Sequence, residues 1–340
     1  MENIPQSYKG KLKELLSSAE DITIIGHHNP DGDAVGSALG MYITLINAGF
    51  NASVVMPTKP AEFLKWLPKF DEVIIFEDSK EKAEEKLYKA DVIICVDFNE
   101  FKRAEAAKEA LENSKAVKIL IDHHPNPGNE TDYIFSFTNY SSASEIVYDF
   151  IKLIEFENDF DKNAAVCIYT GIMTDTLNFS VNSSSERTFM NVAKLISYGI
   201  NKEMIYDKVY NNFSETRLRL VGYLLHKKMK FLKEYKFSYM ILTKGEMKDF
   251  NFEEGDQEGI VNMPLSIKGI NASVIAIEKD DYVKVSLRSK FDTDVNLLAR
   301  LFFHGGGHVN AAGGKIFRKV EDAESYITES VKTYFKDSER

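Results

Sequence analysis

Three short segments carry most of the chemistry visible in this chain. The first is His27-His28-Asn29-Pro30-Asp31-Gly32-Asp33, the second is Asp97, and the third is Asp122-His123-His124. Each follows an apolar run, at Ile22–Ile25, Val92–Val96 and Val117–Ile121 respectively. Taken singly, an aspartate after a strand is more often a helix cap or turn residue than a ligand, and a single histidine is more often a satisfied surface or core residue. The joint pattern is harder to explain that way. Four of the seven histidines fall in two of these segments, and both segments also carry aspartate. So many carboxylates at one sheet edge would repel each other, and cations remove that repulsion. Histidine nitrogen with several carboxylates and no thiolate suits Mn²⁺, Fe²⁺ or Mg²⁺ better than structural zinc. The acids are too many for one ion. Two ions about 4 Å apart would use them, an arrangement typical of phosphate-ester hydrolysis.

The elements around these residues predict how they are positioned. A helix is expected over 6–19, a buried strand at Ile22–Ile25, a helix over Ala34–Ala48 and a strand at Ser53–Met56. Short β-branched strands follow at Val73–Phe76, Val92–Val96 and Val117–Ile121, with charged helices over 79–90 and 101–114 between them. This alternation predicts a parallel α/β sheet, and such sheets bind ligands at the carboxyl ends of their strands. From 141 to 232 the periodicity is helical: 142–155, 161–174, 186–198, 202–211 and 214–231. Strand-like runs then appear at Phe237–Leu242, Ala272–Ile277 and Val283–Leu287, with helical patterns over 294–303 and 320–335. The expectation is a catalytic domain over 1–200, a helical connector over 201–232 and a smaller α/β domain over 233–340.

Two later features could touch a phosphate. Gly305-Gly306-Gly307-His308 reads as a glycine nest before a short helical stretch, with backbone N–H groups open to an anion; a flexible linker is the plainer alternative. Arg288 ends a strand-like run and could offer its planar fork to a phosphate, or be an ordinary exposed strand-end arginine.

Composition limits the function. The chain has 340 residues, 44% hydrophobic and 28% charged, and a net charge of −10. It shows no basic block of the kind long-duplex binders use, so any nucleic-acid substrate is expected to be short. No apolar run approaches the roughly 20 residues a membrane helix needs. The first residues carry no apolar signal core, and the expected location is cytoplasmic. Cys95 and Cys167 sit in apolar segments, as buried free thiols would.

Together these segments resemble the DHH phosphoesterase superfamily, named for the triad seen here as Asp122-His123-His124. His27-x-Asn29-Pro30-Asp31-Gly32-Asp33-Ala34-x-Gly36-Ser37 looks like its first motif, Asp97 its second and Asp175 its fourth. Arg288 and the Gly305–His308 stretch resemble the associated DHHA1 domain. The resemblance implies a parallel-sheet DHH domain and a smaller α/β DHHA1 domain joined by a helical linker. It implies that His27 and Asp31 bind one divalent ion, that Asp33, His123 and Asp175 bind another, and that Asp97 bridges them, with Mn²⁺ the first candidate. His124 is implied as general acid or phosphate-binding cation, Asp122 as its orienting partner, and Arg288, Gly305, Gly306, Gly307 and His308 as substrate-binding. Asp175 rests on the resemblance alone. The short two-domain form is similar to the group that degrades RNA fragments of a few nucleotides, including linear dinucleotides such as pGpG and pApA, and that dephosphorylates 3′-phosphoadenosine 5′-phosphate (pAp). The resemblance also implies a homodimer. The alternatives are a cyclic di-AMP phosphodiesterase, a non-catalytic nucleotide sensor, against which the filled ligand positions argue, and an inorganic pyrophosphatase, whose basic phosphate motif is not found.

Overall fold

The computed structural model describes residues 4–253 and 255–338. The chain divides into two compact units, Met1–Asn212 and Phe213–Arg340. In the first, strands β1 (Asp21–Ile25), β2 (Asn51–Met56), β3 (Ile74–Ile75), β4 (Val92–Val96), β5 (Val117–Asp122) and β6 (Tyr133–Ser136) form one sheet in the order β3-β2-β1-β4-β5-β6. Every pairing is parallel. Strands buried on both faces need unbroken apolar runs, and the fully buried Val92–Val96 supplies one.

Helices cover both faces of this sheet. α1 (Lys9–Ser18), α2 (Gly32–Asn47), α5 (Ala143–Leu153) and α6 (Lys162–Asp175) share a core with Ile22, Ile24, Ile94 and Ile119. α3 (Lys80–Lys89) and α4 (Lys108–Asn113) pack on the alternate residues Ile25, Ile93, Cys95 and Leu120. α7 (Glu186–Ser197) and α8 (Lys202–Tyr210) complete the unit.

Three expectations need correction here. The strand at 73–76 shrinks to two residues. The helix over 101–114 is a 3₁₀ stretch, Phe101–Ala107, followed by α4, because Glu105 breaks the helical backbone at φ 39°, ψ −103°. Strand β6 carries no strong period-2 signal, its burial being mixed along Tyr133–Ser136, and it was not expected.

The second unit holds β7 (Lys230–Leu232), β8 (Phe237–Leu242), β9 (Ala272–Glu278), β10 (Val283–Ser289), β11 (Gly306–His308) and β12 (Ala311–Ile316), ordered β11-β12-β10-β9-β8-β7. All pairings are antiparallel except β8 with β9. β10 alternates buried and half-buried residues, as a strand with one core face should. Its helices are α9 (Glu215–Tyr223), α10 (Lys244–Asp249), α11 (Val295–Phe302) and α12 (Val320–Ser338). The helix expected over 214–231 stops at Tyr223, continues as one π-turn over Leu224–Lys228 and becomes β7. Thus α8 packs with the first unit and α9 with the second.

The glycine stretch also differs from the expected nest. It leads into a strand, and Gly306–His308 pairs antiparallel with Ala311, Ala312 and Gly313. A Cβ on Gly305 would lie 1.8 Å from the Gly313 carbonyl oxygen, and one on Gly307 (φ 151°) 2.4 Å from that of Ala311. These glycines therefore permit close approach of two backbones.

Candidate functional site

The carboxyl ends of β1, β4 and β5 deliver the predicted residues to one cluster. His27 follows β1 and is buried. Its Nε2 lies 3.4 Å from Asp97 Oδ2 and 4.0 Å from Asp31 Oδ1. His123 follows β5 and is also buried. Its Nε2 lies 3.6 Å from Asp97 Oδ1, 3.9 Å from Asp33 Oδ2 and 3.7 Å from Asp175 Oδ2. The two oxygens of Asp97 thus face two separate groups, His27 with Asp31 on one side and His123 with Asp33 and Asp175 on the other. Both sets satisfy the spacing of metal-ligand groups.

Local structure accounts for each placement. Asp31 caps α2: its Oδ1 accepts the N–H groups of Asp33 (2.9 Å) and Ala34 (3.1 Å). Capping and membership of the cluster are therefore one role, although the sequence offers them as alternatives. Asp33 sits in the first turn of α2 and is 1% exposed. Its carboxylate takes the N–H groups of Ala143 (2.6 Å) and Ser144 (2.9 Å), the first residues of α5, whose N-terminus favours an anion. Asp175, the last residue of α6, arrives because α2 and α6 touch through glycines. A Cβ on Gly32 would lie 2.3 Å from Thr174 Oγ1, and one on Gly36 2.5 Å from the Cys167 carbonyl oxygen.

Asp97 holds a left-handed backbone (φ 62°) straight after β4 while its N–H still donates to the Ile121 carbonyl. For a non-glycine residue such a conformation stores on the order of 1 kcal/mol and clusters at functional sites. Asp97 is 2% exposed, and among the described residues its Oδ1 finds no hydrogen-bond donor.

The electrostatics follow from this crowding. Burial, reinforced by Asp33, Asp31 and Asp175, pushes the Asp97 carboxyl well above the usual carboxylate range. Burial lowers His27 and favours the neutral imidazole that binds metals. Burial would lower His123 too, but the charges of Asp175 and Asp33 outweigh it and raise the ring. A buried, unsatisfied carboxylate oxygen among acids and imidazoles is the donor set divalent cations complete, so these residues fit two ions.

His124 stands beside this set. Its Nδ1 lies 2.8 Å from Asp122 Oδ1, and its backbone N–H donates to Asp122 Oδ2 at 3.0 Å. Burial would raise Asp122, but these bonds and the histidine charges hold it below its ordinary value. His28 turns away from the cluster: its Nε2 lies 3.5 Å from Glu105 Oε2.

In the second unit, Arg288 on β10 and His308 on β11 both pair with Ala311 of β12. Directly opposed residues share a sheet face, so the two basic side chains project from the same face, about 10 Å apart across the intervening strand. Gly305, Gly306 and Gly307 lead into His308 at that edge. Sequence reasoning missed the Ala143 and Ser144 amides and the buried Glu145 behind them. The Ser142-x-x-Glu145 spacing, a capping-box signature, was the available signal. Cys95 and Cys167 are buried free thiols. Among the described residues no helix is long and apolar enough to cross a membrane.

Known proteins resemble the chain along nearly all its length. Residues 21–172 match the DHH family N-terminal domain and residues 234–337 the DHHA1 domain. The bifunctional oligoribonuclease and PAP phosphatase NrnA of Bacillus subtilis (strain 168) is 29% identical over 91% of this chain and 93% of its own. Its namesake from Thermus thermophilus is 30% identical over 90% and 87%. The crystal structure of an exopolyphosphatase-related protein from Bacteroides fragilis is 38% identical, with a TM-score of 0.95 over 98% of both chains. With the motifs filled and both domains matched, the chain belongs to the DHH family of metal-dependent phosphoesterases, in the DHH–DHHA1 form of the NrnA-type proteins.

Proposed function

We propose that the protein hydrolyses short RNA oligonucleotides, linear dinucleotides such as pGpG and pApA among them, and removes the 3′-phosphate of pAp, using two Mn²⁺ ions. The observation that carries this reading is Asp97, whose two carboxylate oxygens face His27 and His123 from a buried position. The names of the Bacillus and Thermus relatives support the substrate class.

On this reading His27 and Asp31 hold one cation, Asp33, His123 and Asp175 the other, and Asp97 both. Bound there, the ions neutralise phosphate-oxygen charge and make water a nucleophile near neutral pH. Asp122 fixes the His124 ring beside the ligand set, placed to give a proton to a leaving oxygen. On the DHHA1 unit, Arg288 and His308, with the Gly305–Gly307 backbone leading into His308, bind anionic parts of the substrate. An acidic chain with so few basic contacts suits a short substrate in preference to a long duplex.

The test is a side-by-side assay of pAp, pGpG, pApA and cyclic di-AMP with Mn²⁺ and Mg²⁺. Turnover of pAp and the linear dinucleotides is expected. Turnover of cyclic di-AMP alone would overturn the reading in favour of a cyclic-dinucleotide phosphodiesterase, and no turnover at all in favour of a nucleotide sensor.

A further inference from the structure

Behind Asp33 lies a second buried polar cluster. Glu145, on the first turn of α5, is 0% exposed. Its Oε2 accepts the backbone N–H (2.9 Å) and hydroxyl (2.7 Å) of Ser141 and the hydroxyl of Thr188 (3.0 Å). Its Oε1 lies 3.2 Å from Arg187 Nε. Arg187 also donates to the Asn139 carbonyl (2.7 Å), and its guanidinium lies 3.3 Å over the Tyr140 ring. Ser142 caps α5 by accepting the Glu145 N–H at 3.1 Å.

Between them Arg187 and Glu145 contact each of residues 139–142, the segment that leads into the two amides gripping Asp33, and Thr188 holds Glu145 in turn. A buried ion pair of this kind is no efficient route to stability, since apolar residues of like volume usually serve as well. What it does supply is a fixed geometry. We infer that Glu145, Arg187 and Thr188 are positioning residues: tied to α7, they hold the start of α5 so that the Ala143 and Ser144 amides aim Asp33 at its metal. This inference rests on the ligand set under Proposed function.

The test uses the full-length chain, stripped of metal by chelation, with the variants E145Q, R187A, R187K, T188V, D33N and K9A. Lys9 lines the same cavity of about 560 Å³ as Arg187 but pairs with Glu155. Mn²⁺ affinity is read by titration calorimetry, the melting temperature of the metal-free protein by scanning, and pGpG turnover across Mn²⁺ concentrations. Partners that orient a metal ligand typically govern about 10–100-fold in affinity. E145Q and R187A are therefore expected to weaken one of the two binding events by that factor, with turnover recovering in excess Mn²⁺. R187K should fall between R187A and wild type, and K9A should match wild type. A lower melting temperature with unchanged Mn²⁺ affinity would overturn the inference and leave the cluster a purely structural one. If R187A does not fold, T188V, which keeps both charges, faces the same two outcomes. D33N separates the failures: unchanged Mn²⁺ binding in D33N would sink the ligand set, whereas loss there with none in E145Q and R187A would sink only the positioning role.

Discussion

Asp97→Asn isolates the carboxylate proposed to serve both ions, with little backbone consequence. Asparagine tolerates the left-handed conformation at φ 62° as well as aspartate does, and it keeps the volume. In the metal-free protein the sign is unusual. The folded-state pKa of Asp97 is raised by burial and by Asp33, Asp31 and Asp175. Its contribution to stability is therefore complete below the unfolded value, about 3.9, and is lost as pH rises from there through the raised one. At pH 7, above the unfolded value, the raised carboxyl subtracts from stability, so metal-free D97N should melt no lower than wild type, and its relative advantage should grow as pH increases from 4. With metal the order reverses. An ion at a hundred times its dissociation constant adds about 2.7 kcal/mol. A unit of 150–250 residues gains about 2–4 °C per kcal/mol, which gives roughly 5–11 °C per ion. Asp97 faces both ligand groups, so D97N should lose most of the shift from both ions and turn over at least ~100-fold more slowly, beyond what an outer-shell partner costs. Differential scanning calorimetry with and without Mn²⁺, alongside pGpG hydrolysis, measures both. A D97N protein that keeps the full Mn²⁺-induced shift, or that melts several degrees lower without metal, would refute the bridging role.

Other perturbations test separate parts of the structure. Gly171→Ala would place a Cβ 1.9 Å from Ser144 Oγ and 3.0 Å from Asp33 Oδ1; overpacking of that kind costs about 1–3 kcal/mol, and Mn²⁺ affinity should fall with the melting temperature. Asp122→Asn weakens the contact that orients the His124 ring and should slow turnover about 10²–10⁴-fold, while calorimetry should find Mn²⁺ binding largely retained. Arg288→Ala should raise KM for pGpG about 10–100-fold, as loss of a charged hydrogen bond of roughly 1.5–3 kcal/mol implies, while Mn²⁺ affinity stays unchanged. In the second unit, burial would raise the Glu246 carboxyl, but Lys228, the Thr243 N–H and the Tyr223 hydroxyl outweigh it and hold it at about 2. Its stabilisation is present above the ordinary carboxylate range and lost as pH falls toward 2. Glu246→Gln should thus lower the second unit's melting temperature at pH 7, and the gap between the two curves should close progressively as pH falls toward 2.

The sequence alone determined the parallel sheet and the strand ends that carry the site. β4 is a continuous apolar run, and the runs of β1 and β5 are interrupted only by Thr23 and Lys118, a pattern suited to a sheet covered on both faces, and their carboxyl ends lie together by topology. His27, Asp31, Asp33, Asp97 and His123 could therefore be placed from local pattern. Other features were decided by contacts between residues far apart in the chain. Asp175 reaches the cluster only because α2 and α6 meet through Gly32 and Gly36. The glycine stretch at 305–307 became a tight strand pair because its partner, Ala311–Gly314, needs backbone contact where a Cβ would collide. Helix 101–114 gave way at Glu105, and β6 formed without an alternating pattern of its own, beside β5. The amides that grip Asp33 come from a helix 110 residues away. Local periodicity reports which face of an element is buried, but which backbones approach closely enough to share a proton or an ion is settled only when the elements pack.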